Sequence, residues 1–403
     1  MSSEGATRHL KINTGRQKMP LCYAGSGRQA KKVPIWRRML CYARSLPVNL
    51  RKTKGTTTIR DVARESGFSA ATVSIVLNQA PLARYIPAQT KEKIEKTAKR
   101  LGYRPNQLAR SLRSSRNHTL GVMVLDLTDP FCVPILRGIE NTLYRVSYVS
   151  ILTDAHNDRT RFERYLEMLL ERRVEGLIVV ANWMYVDINL LADLEKRNIP
   201  TVVLGYELQR GSISSVLTDD ETGAQWALQH LYSLGHRRIA FIRGPKMLAD
   251  SARRWKGVRS FAASVGLEID PRLVLELPDL REPNSGFEGG AKATEELLRR
   301  KRPFTAIMAF DDMTALGCIR MLTRLGIKVP EQCSVIGFDD ILPAAFSMPA
   351  LTTVRQPMEA LGTTAVETAV EAIRAGLERR EYAVIRSKIM PELVVRESTR
   401  AVS

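Results

Sequence analysis

Cysteine is scarce in this 403-residue chain: Cys22, Cys41, Cys132, Cys318 and Cys333 are scattered, odd in number and never spaced C-x-x-C. That pattern argues against a disulfide framework and a thiolate metal site, and a reducing, cytoplasmic compartment is expected. Histidine is as thin, with His9, His118, His156, His230 and His236 standing apart, so no metal cluster is expected. Long apolar runs are also missing. Leu120–Leu125 and Leu177–Ala181 fall far short of the roughly eighteen residues a membrane-spanning helix needs. No phosphate loop, nucleophile elbow, H-E-x-x-H or Cys/His nucleophile arrangement appears, which speaks against an α/β enzyme; neither a catalytic residue nor a cofactor is expected. Gly25-Ser26-Gly27-Arg28-Gln29-Ala30 matches a dinucleotide fingerprint in letters alone, since no strand precedes it and no apolar helix follows.

What is abundant is positive charge, and it is unevenly placed. The net +19 divides into +12 over residues 1–58, where 13 Lys/Arg face one acid, and +8 over 59–117, where 12 face four. The remaining 36 basic and 37 acidic residues nearly cancel. A basic first third on a neutral remainder is the footprint of a polyanion-binding head joined to a separate body. With 44% apolar residues the chain has enough to bury two or three cores. Residues 1–56 lack any sustained period and read as a disordered basic extension, either a true arm or a start set upstream of the real one; a transit peptide is the less favoured alternative.

From Leu120 onward, short apolar runs alternate with helix-period segments: Leu120–Leu125, Leu177–Ala181, Thr201–Leu204, Ile239–Ile242, Ala306–Phe310 and Val335–Phe338. Such alternation predicts βαβ units and parallel sheets, and continuous apolar strands predict sheets covered on both faces. Ligands in these folds collect at the carboxyl ends of strands. The loops there carry Asp126, Asp129, Arg243, Asp311, Asp312, Asp339 and Asp340.

Between the basic extension and the body, Thr58 to Asn78 spells two short helices around a tight turn. Thr58 can cap the first, Gly67 can supply a left-handed turn residue, and Ser69 can cap the second. Ile59, Val62 and Ala63 form one inward stripe, and Val73, Val76 and Leu77 another. Small Ala63 at the crossing, Gly67 in the turn and the basic surround favour a helix-turn-helix over an ordinary helical hairpin. A third helix is predicted from about Lys91 to Leu101, followed by Tyr103-Arg104-Pro105-Asn106-Gln107-Leu108-Ala109-Arg110-Ser111-Leu112.

These stretches resemble the lactose/galactose repressor (LacI/GalR) family, whose heads read T-I-x-D-V-A-x-x-A-G-V-S-x-x-T-V-S-R-V-L-N and close with G-Y-x-P-N-x-x-A-R-S-L. The likeness continues through Asp129-Pro130-Phe131, Leu234-Gly235-His236, Ile336-Gly337-Phe338-Asp339-Asp340 and Leu351-Thr352-Thr353, and covers residues 57–398. It implies a transcription regulator with an all-α head at 57–104, a hinge helix and linker at 105–117, and a two-lobed periplasmic-binding-protein-like α/β body at 118–403 that binds an effector and dimerises. It also implies that the partners are a palindromic operator, a second copy of the chain and a small effector, a carbohydrate by preference. A secreted sugar-binding protein is disfavoured by the fused head.

Carried over by position, the DNA-contacting residues are Thr58, Ser69, Ala70, Ala71, Thr72, Ser74, Ile75 and Asn78 in the head, then Tyr103, Asn106, Ala109, Arg110 and Leu112, with Leu112 as a minor-groove wedge. Ile75 stands where the family usually has Arg, so the commonest guanine-reading fork is absent; apolar contacts to thymine methyls are expected instead. The stretch Gln79–Thr90 is about three residues longer than the family pattern, with Arg84 and Tyr85 in the added loop, and is expected to alter contacts to the DNA backbone only. The effector residues are Asp129 and Phe131 from the first lobe and Arg254, Asp311 and Asp339 from the second, with Trp183 and Phe338 as further stacking candidates. Carboxylates and an Arg fork suit vicinal hydroxyls. Asp311 stands where Asn is commoner, and Asp311 and Asp339 can equally be read as helix caps.

Overall fold

The computed structural model describes residues 57–78, 80–103, 116–181, 194–197, 199–206, 208, 211–246, 248–278 and 285–402. The chain divides into two compact units, 1–105 and 106–403. The expected extension at 1–56 and most of the hinge, including Asn106, Ala109, Arg110 and Leu112, lie outside the described residues, as does Trp183.

In the first unit, α1 (Ile59–Ser66), α2 (Ala70–Leu77), a 3-10 turn (Pro81–Tyr85) and α3 (Ala88–Arg100) surround Val62, Ala63, Val73, Val76, Ile94 and Ala98. Local chemistry sets each boundary. The Thr58 hydroxyl accepts from the Asp61 N–H while the Asp61 carboxylate accepts from the Thr58 N–H, a reciprocal box that satisfies two otherwise orphaned donors. Gly67 ends α1 at φ 79°, a left-handed position that costs glycine nothing. Ser69 then caps α2 by accepting from the Thr72 N–H at 3.1 Å. The third helix starts at Ala88, earlier than its apolar period suggested, because Gln89, Thr90 and Lys91 in the first turn after Pro87 add no residue to that period.

Among its described residues the second unit holds two parallel sheets and a two-stranded antiparallel ribbon. Its elements run β1 (Thr119–Val124), α4 (Cys132–Arg145), β2 (Val149–Asp154), α5 (Arg159–Glu171), β3 (Gly176–Val180), β4 (Thr201–Leu204), β5 (Ser214–Thr218), α6 (Asp220–Ser233), β6 (Ile239–Arg243) and α7 (Ala249–Ser264). They continue with β7 (Val274–Glu276), α8 (Ser285–Arg299), β8 (Ala306–Met308), α9 (Asp312–Arg324), β9 (Ser334–Ile336), α10 (Leu342–Phe346), β10 (Thr353–Arg355), α11 (Met358–Glu378), β11 (Arg386–Ile389) and β12 (Glu392–Val394).

The first lobe is a six-stranded sheet ordered β11-β5-β4-β3-β1-β2, the second a four-stranded sheet ordered β7-β6-β8-β9, and all these pairings are parallel. Each sheet is covered on both faces by separate apolar clusters, which is why its central strands are apolar throughout. The chain passes from the first lobe to the second after β5, returns after β10 into α11 against β3, β4 and β5, and crosses again after β11 to pair β12 antiparallel with β10. Among the described residues, no helix is long and apolar enough to cross a membrane.

Candidate functional site: a reading head and an interlobe cleft

The candidate reading helix, α2, presents Ala70 and Ala71 to solvent, with Thr72, Ser74 and Ile75 half-exposed and Val73 and Val76 buried in the head core. Its polar groups are already organised: the Ser69 and Thr72 hydroxyls lie 2.9 Å apart, and the Asn78 amide donates to the Ser74 carbonyl and hydroxyl. Thr58 is likewise occupied as a cap. Tyr103, expected on DNA, packs its ring against the head core. No residue of α2 carries a charge, so the helix itself offers shape and neutral hydrogen bonds.

In the body, the carboxyl ends of both sheets face an open cavity lined by residues of both lobes, the place where ligands collect in parallel α/β folds. Four of the five expected effector residues line it together: Phe131 from the first lobe, and Arg254, Asp311 and Asp339 from the second. Asp129 does not line it. Its buried carboxylate accepts from the Phe131 N–H at 3.0 Å and so shapes the loop that presents Phe131.

Arg254 is the centre of the site. It lies buried in the first half of α7, donating to Asp220 at 3.0 Å and to the Phe310 carbonyl at 2.7 Å, with Asp339 at 3.5 Å and Asp250 at 3.8 Å. Its guanidinium lies over the rings of Phe338 and Phe310, 3.8 and 4.8 Å from their centres. Burial alone would ease its proton off, but the surrounding carboxylates, Asp220 foremost, outweigh that and hold it more firmly charged than usual. Asp339 and Asp250 are both raised above the ordinary carboxylate range by burial, with Arg254 pulling the other way.

Asp311 and Asp339 differ in role. Asp311 caps α9, accepting from the Thr314 N–H at 2.7 Å, and burial raises its carboxyl. Asp339 caps nothing, contrary to one reading of its position: α10 begins after Ile341. Its backbone sits at φ 127°, a region that residues with side chains rarely adopt and that concentrates at functional sites. The strand crossing beside it holds it there, through the Asp339 N–H to the Val354 carbonyl. Its carboxylate accepts from the Gln356 amide at 2.9 Å, and Gln356 in turn accepts from Thr218 at 2.7 Å. Two crossovers are thereby tied to the second lobe at the cleft.

Asp220, Asp250, Arg253, Phe310 and Gln356 also line the cavity and were not singled out from sequence. The signals were faint: paired acids at Asp219-Asp220 after a strand, and paired arginines at Arg253-Arg254. Arg253 salt-bridges Asp220 at 2.8 Å and reaches the Gly205 carbonyl of the first lobe.

Residues 58–106 match the model of the bacterial regulatory proteins, lacI family, and residues 228–399 that of the periplasmic binding protein-like domain. The HTH-type transcriptional repressor PurR of Aliivibrio fischeri (strain MJ11) is 33% identical over 350 residues, covering 85% of this chain and 98% of the relative. This chain belongs to the lacI family. Its solved likenesses include the Lac repressor dimer bound to operator and the anti-inducer ONPF (TM-score 0.74, 26% identity, 86% of this chain and 99% of that one). They also include a transcriptional regulator CelR–cellobiose complex (TM-score 0.63, 28%, 85% and 99%) and a ribose-bound LacI family regulator from Enterococcus faecium (TM-score 0.60, 30%, 71% and 100%). As a lacI-family member, the chain is a DNA-binding transcriptional regulator under the control of a small molecule, and its repressor relatives are not enzymes.

Proposed function

We propose that this lacI-family regulator acts in the cytoplasm as a homodimeric repressor on a palindromic operator, and that its cleft takes a neutral, hydroxyl-rich effector, a sugar or sugar derivative. The observation that carries the effector class is the pairing of Arg254. Both arginines of the cavity already face carboxylates, Arg253 on Asp220 and Arg254 on Asp220, Asp250 and Asp339. An anionic ligand would have to displace these carboxylates from the guanidinium groups. A polyol donates to the carboxylates and accepts from the guanidinium edge without adding charge. Phe131 and Phe310 supply apolar faces for its ring, and cellobiose and ribose occupy the two regulators named above.

Two features support the rest. A molecule bridging Phe131 of one lobe and Arg254 of the other fixes the angle between lobes, a bistable coordinate that supports a coupling of about 1–3 kcal/mol between effector and operator. Both lobes also leave large apolar side chains in water, Tyr144 at 86% exposure on the first and Phe346 at 77% and Met348 at 93% on the second. A second copy covering both suits the likeness to a Lac repressor dimer.

The test is to select an operator from random duplexes, then titrate neutral sugars and their phosphorylated forms. A neutral sugar that shifts wild-type operator affinity and leaves Arg254→Ala unmoved is expected. A response to phosphorylated sugars only, or one that survives Arg254→Ala, overturns the assignment.

A further inference from the structure

The reading helix poses an electrostatic problem. DNA affinity rests on cations that neutralise phosphates, yet α2 spells Ala-Ala-Thr-Val-Ser-Ile-Val-Leu, without one charge. Several cations elsewhere in the head are matched by acids: Arg64 by Asp61 at 2.9 Å, Lys96 by Glu92 at 2.7 Å and Arg100 by Glu65 at 3.2 Å.

Arg84, in the turn that follows α2, is held differently. Its guanidinium donates to the Tyr85 hydroxyl at 2.7 Å and lies over the Tyr85 ring, 4.7 Å from its centre. Both partners are neutral, so the full positive charge faces water in one orientation. The turn that carries it is firm. The Ala80 N–H donates to the Ile75 carbonyl of the reading helix, the Ala83 N–H to the Ala80 carbonyl and the Ile86 N–H to the Ala83 carbonyl, while Ile86 anchors in the head core. Leu82 and Tyr85 are the two large apolar side chains left exposed among the described residues of the head, at 58% and 70%. Neither side chain is buried in the head core.

We infer that the turn Pro81–Tyr85 is a second DNA-contacting element, in which Arg84, oriented by Tyr85, grips a backbone phosphate beside the groove that α2 enters, with Leu82 and the Tyr85 ring packed on the adjoining sugars. The inference rests on the reading of the head as the operator-binding unit. Continuity with the reading helix and complementarity of charge single out duplex DNA as the occupant. Phosphate and sugar contacts position a protein without reading bases, so the turn fixes the register of α2. That role matters most where a guanine-reading arginine is missing at Ile75. An orientation fixed before binding spares the entropy of ordering a long side chain.

The experiment measures the full chain on a selected operator across a salt series. The dimer loses two phosphate contacts, one per head, which lowers the slope of log affinity on log salt by about 1.8, so the deficit of Arg84→Ala should shrink about twelvefold between about 50 and about 200 mM salt. Arg84→Lys should restore the slope, because it keeps the point charge. Tyr85→Phe, which removes only the orienting hydroxyl, should weaken binding with the slope unchanged. Thermal melts matching wild type show that these exposed substitutions leave the head folded. Wild-type affinity and slope in Arg84→Ala overturn the inference, and wild-type affinity in Tyr85→Phe overturns the role given to the ring hydroxyl. If no sequence is enriched from random duplexes, the operator-binding reading fails first and takes this inference with it. Enrichment with an inert Arg84 sinks the turn alone.

Discussion

Replacing Arg254 by alanine should cost stability in a way that depends on pH. The side chain is buried and serves three carboxylates at once, Asp220, Asp339 and Asp250. Deleting one partner of a buried ion pair typically costs about 3–5 kcal/mol, because the remaining charge is stranded. Asp220 keeps Arg253 at 2.8 Å, so the stranded groups are Asp339 and Asp250, and the lower end, about 3 kcal/mol, applies near neutral pH. Both carboxyls are already raised by burial, with Arg254 opposing the rise; without it they rise further. A carboxyl whose folded pKa exceeds its unfolded value stabilises the fold below the unfolded value and loses that contribution as pH climbs through the folded one. The penalty should therefore be small at about pH 5, where the stranded groups hold protons, and grow toward about pH 8. In melts of the full chain, this corresponds to a drop in Tm of about 5–10 °C at the higher pH and much less at the lower. Asp339→Asn in the Arg254→Ala background should recover part of the loss. A penalty that is equal at both pH values would refute the account of stranded carboxylates.

Asp312, whose buried carboxyl is pushed from 3.8 to about 8 by burial, should make stability fall as pH rises between those values. Asp312→Asn should flatten that decline in a pH series of melts, and parallel slopes would contradict it. A Cβ at Gly257 would lie 2.1 Å from the Glu221 carbonyl oxygen, so Gly257→Ala must push α6 from α7 and cost about 1–3 kcal/mol or more in urea unfolding. Gly376 meets nothing within 4 Å, so Gly376→Ala in α11 should instead stabilise by about 0.5–1 kcal/mol. Leu112→Ala, by removal of the expected minor-groove wedge, should weaken operator binding by about tenfold or more while sparing binding to random duplexes; equal losses on both refute the wedge. Phe346→Glu should turn a dimer into a monomer at roughly micromolar concentration by light scattering, and an unchanged mass would place the interface elsewhere.

How far the fold was legible depended on whether a residue's environment is made locally. Thr58, Gly67 and Ser69 announced the head because caps and left-handed turns are settled within four residues. The strands β1, β3, β4 and β6 announced themselves through apolar runs, since a strand covered on both faces must be apolar throughout. By contrast β5, with two serines and a threonine in five residues, gave no such signal although it is buried. Its Ser214 hydroxyl pairs with Tyr382, 168 residues away, and that partner exists only in the folded chain. The edge strands β2 and β11 were missed for the related reason that edges tolerate polar residues.

The cleft divides the same way. The sequence alone determined the family, the two-part plan and the presence of Phe131, Arg254, Asp311 and Asp339, because these sit at strand ends and in motifs that can be counted along the chain. Tertiary structure decided what those residues do. It bent Asp129 onto its own loop and left Phe131 at the cavity. It strained Asp339 beside a distant strand, and it brought Asp220 and Gln356 from opposite crossovers to Arg254 and Asp339. The physical reason is that charge and hydrogen bonding act over a few ångströms of space. In a doubly wound fold the neighbours at that range are separated by tens to hundreds of residues, so no local pattern records them.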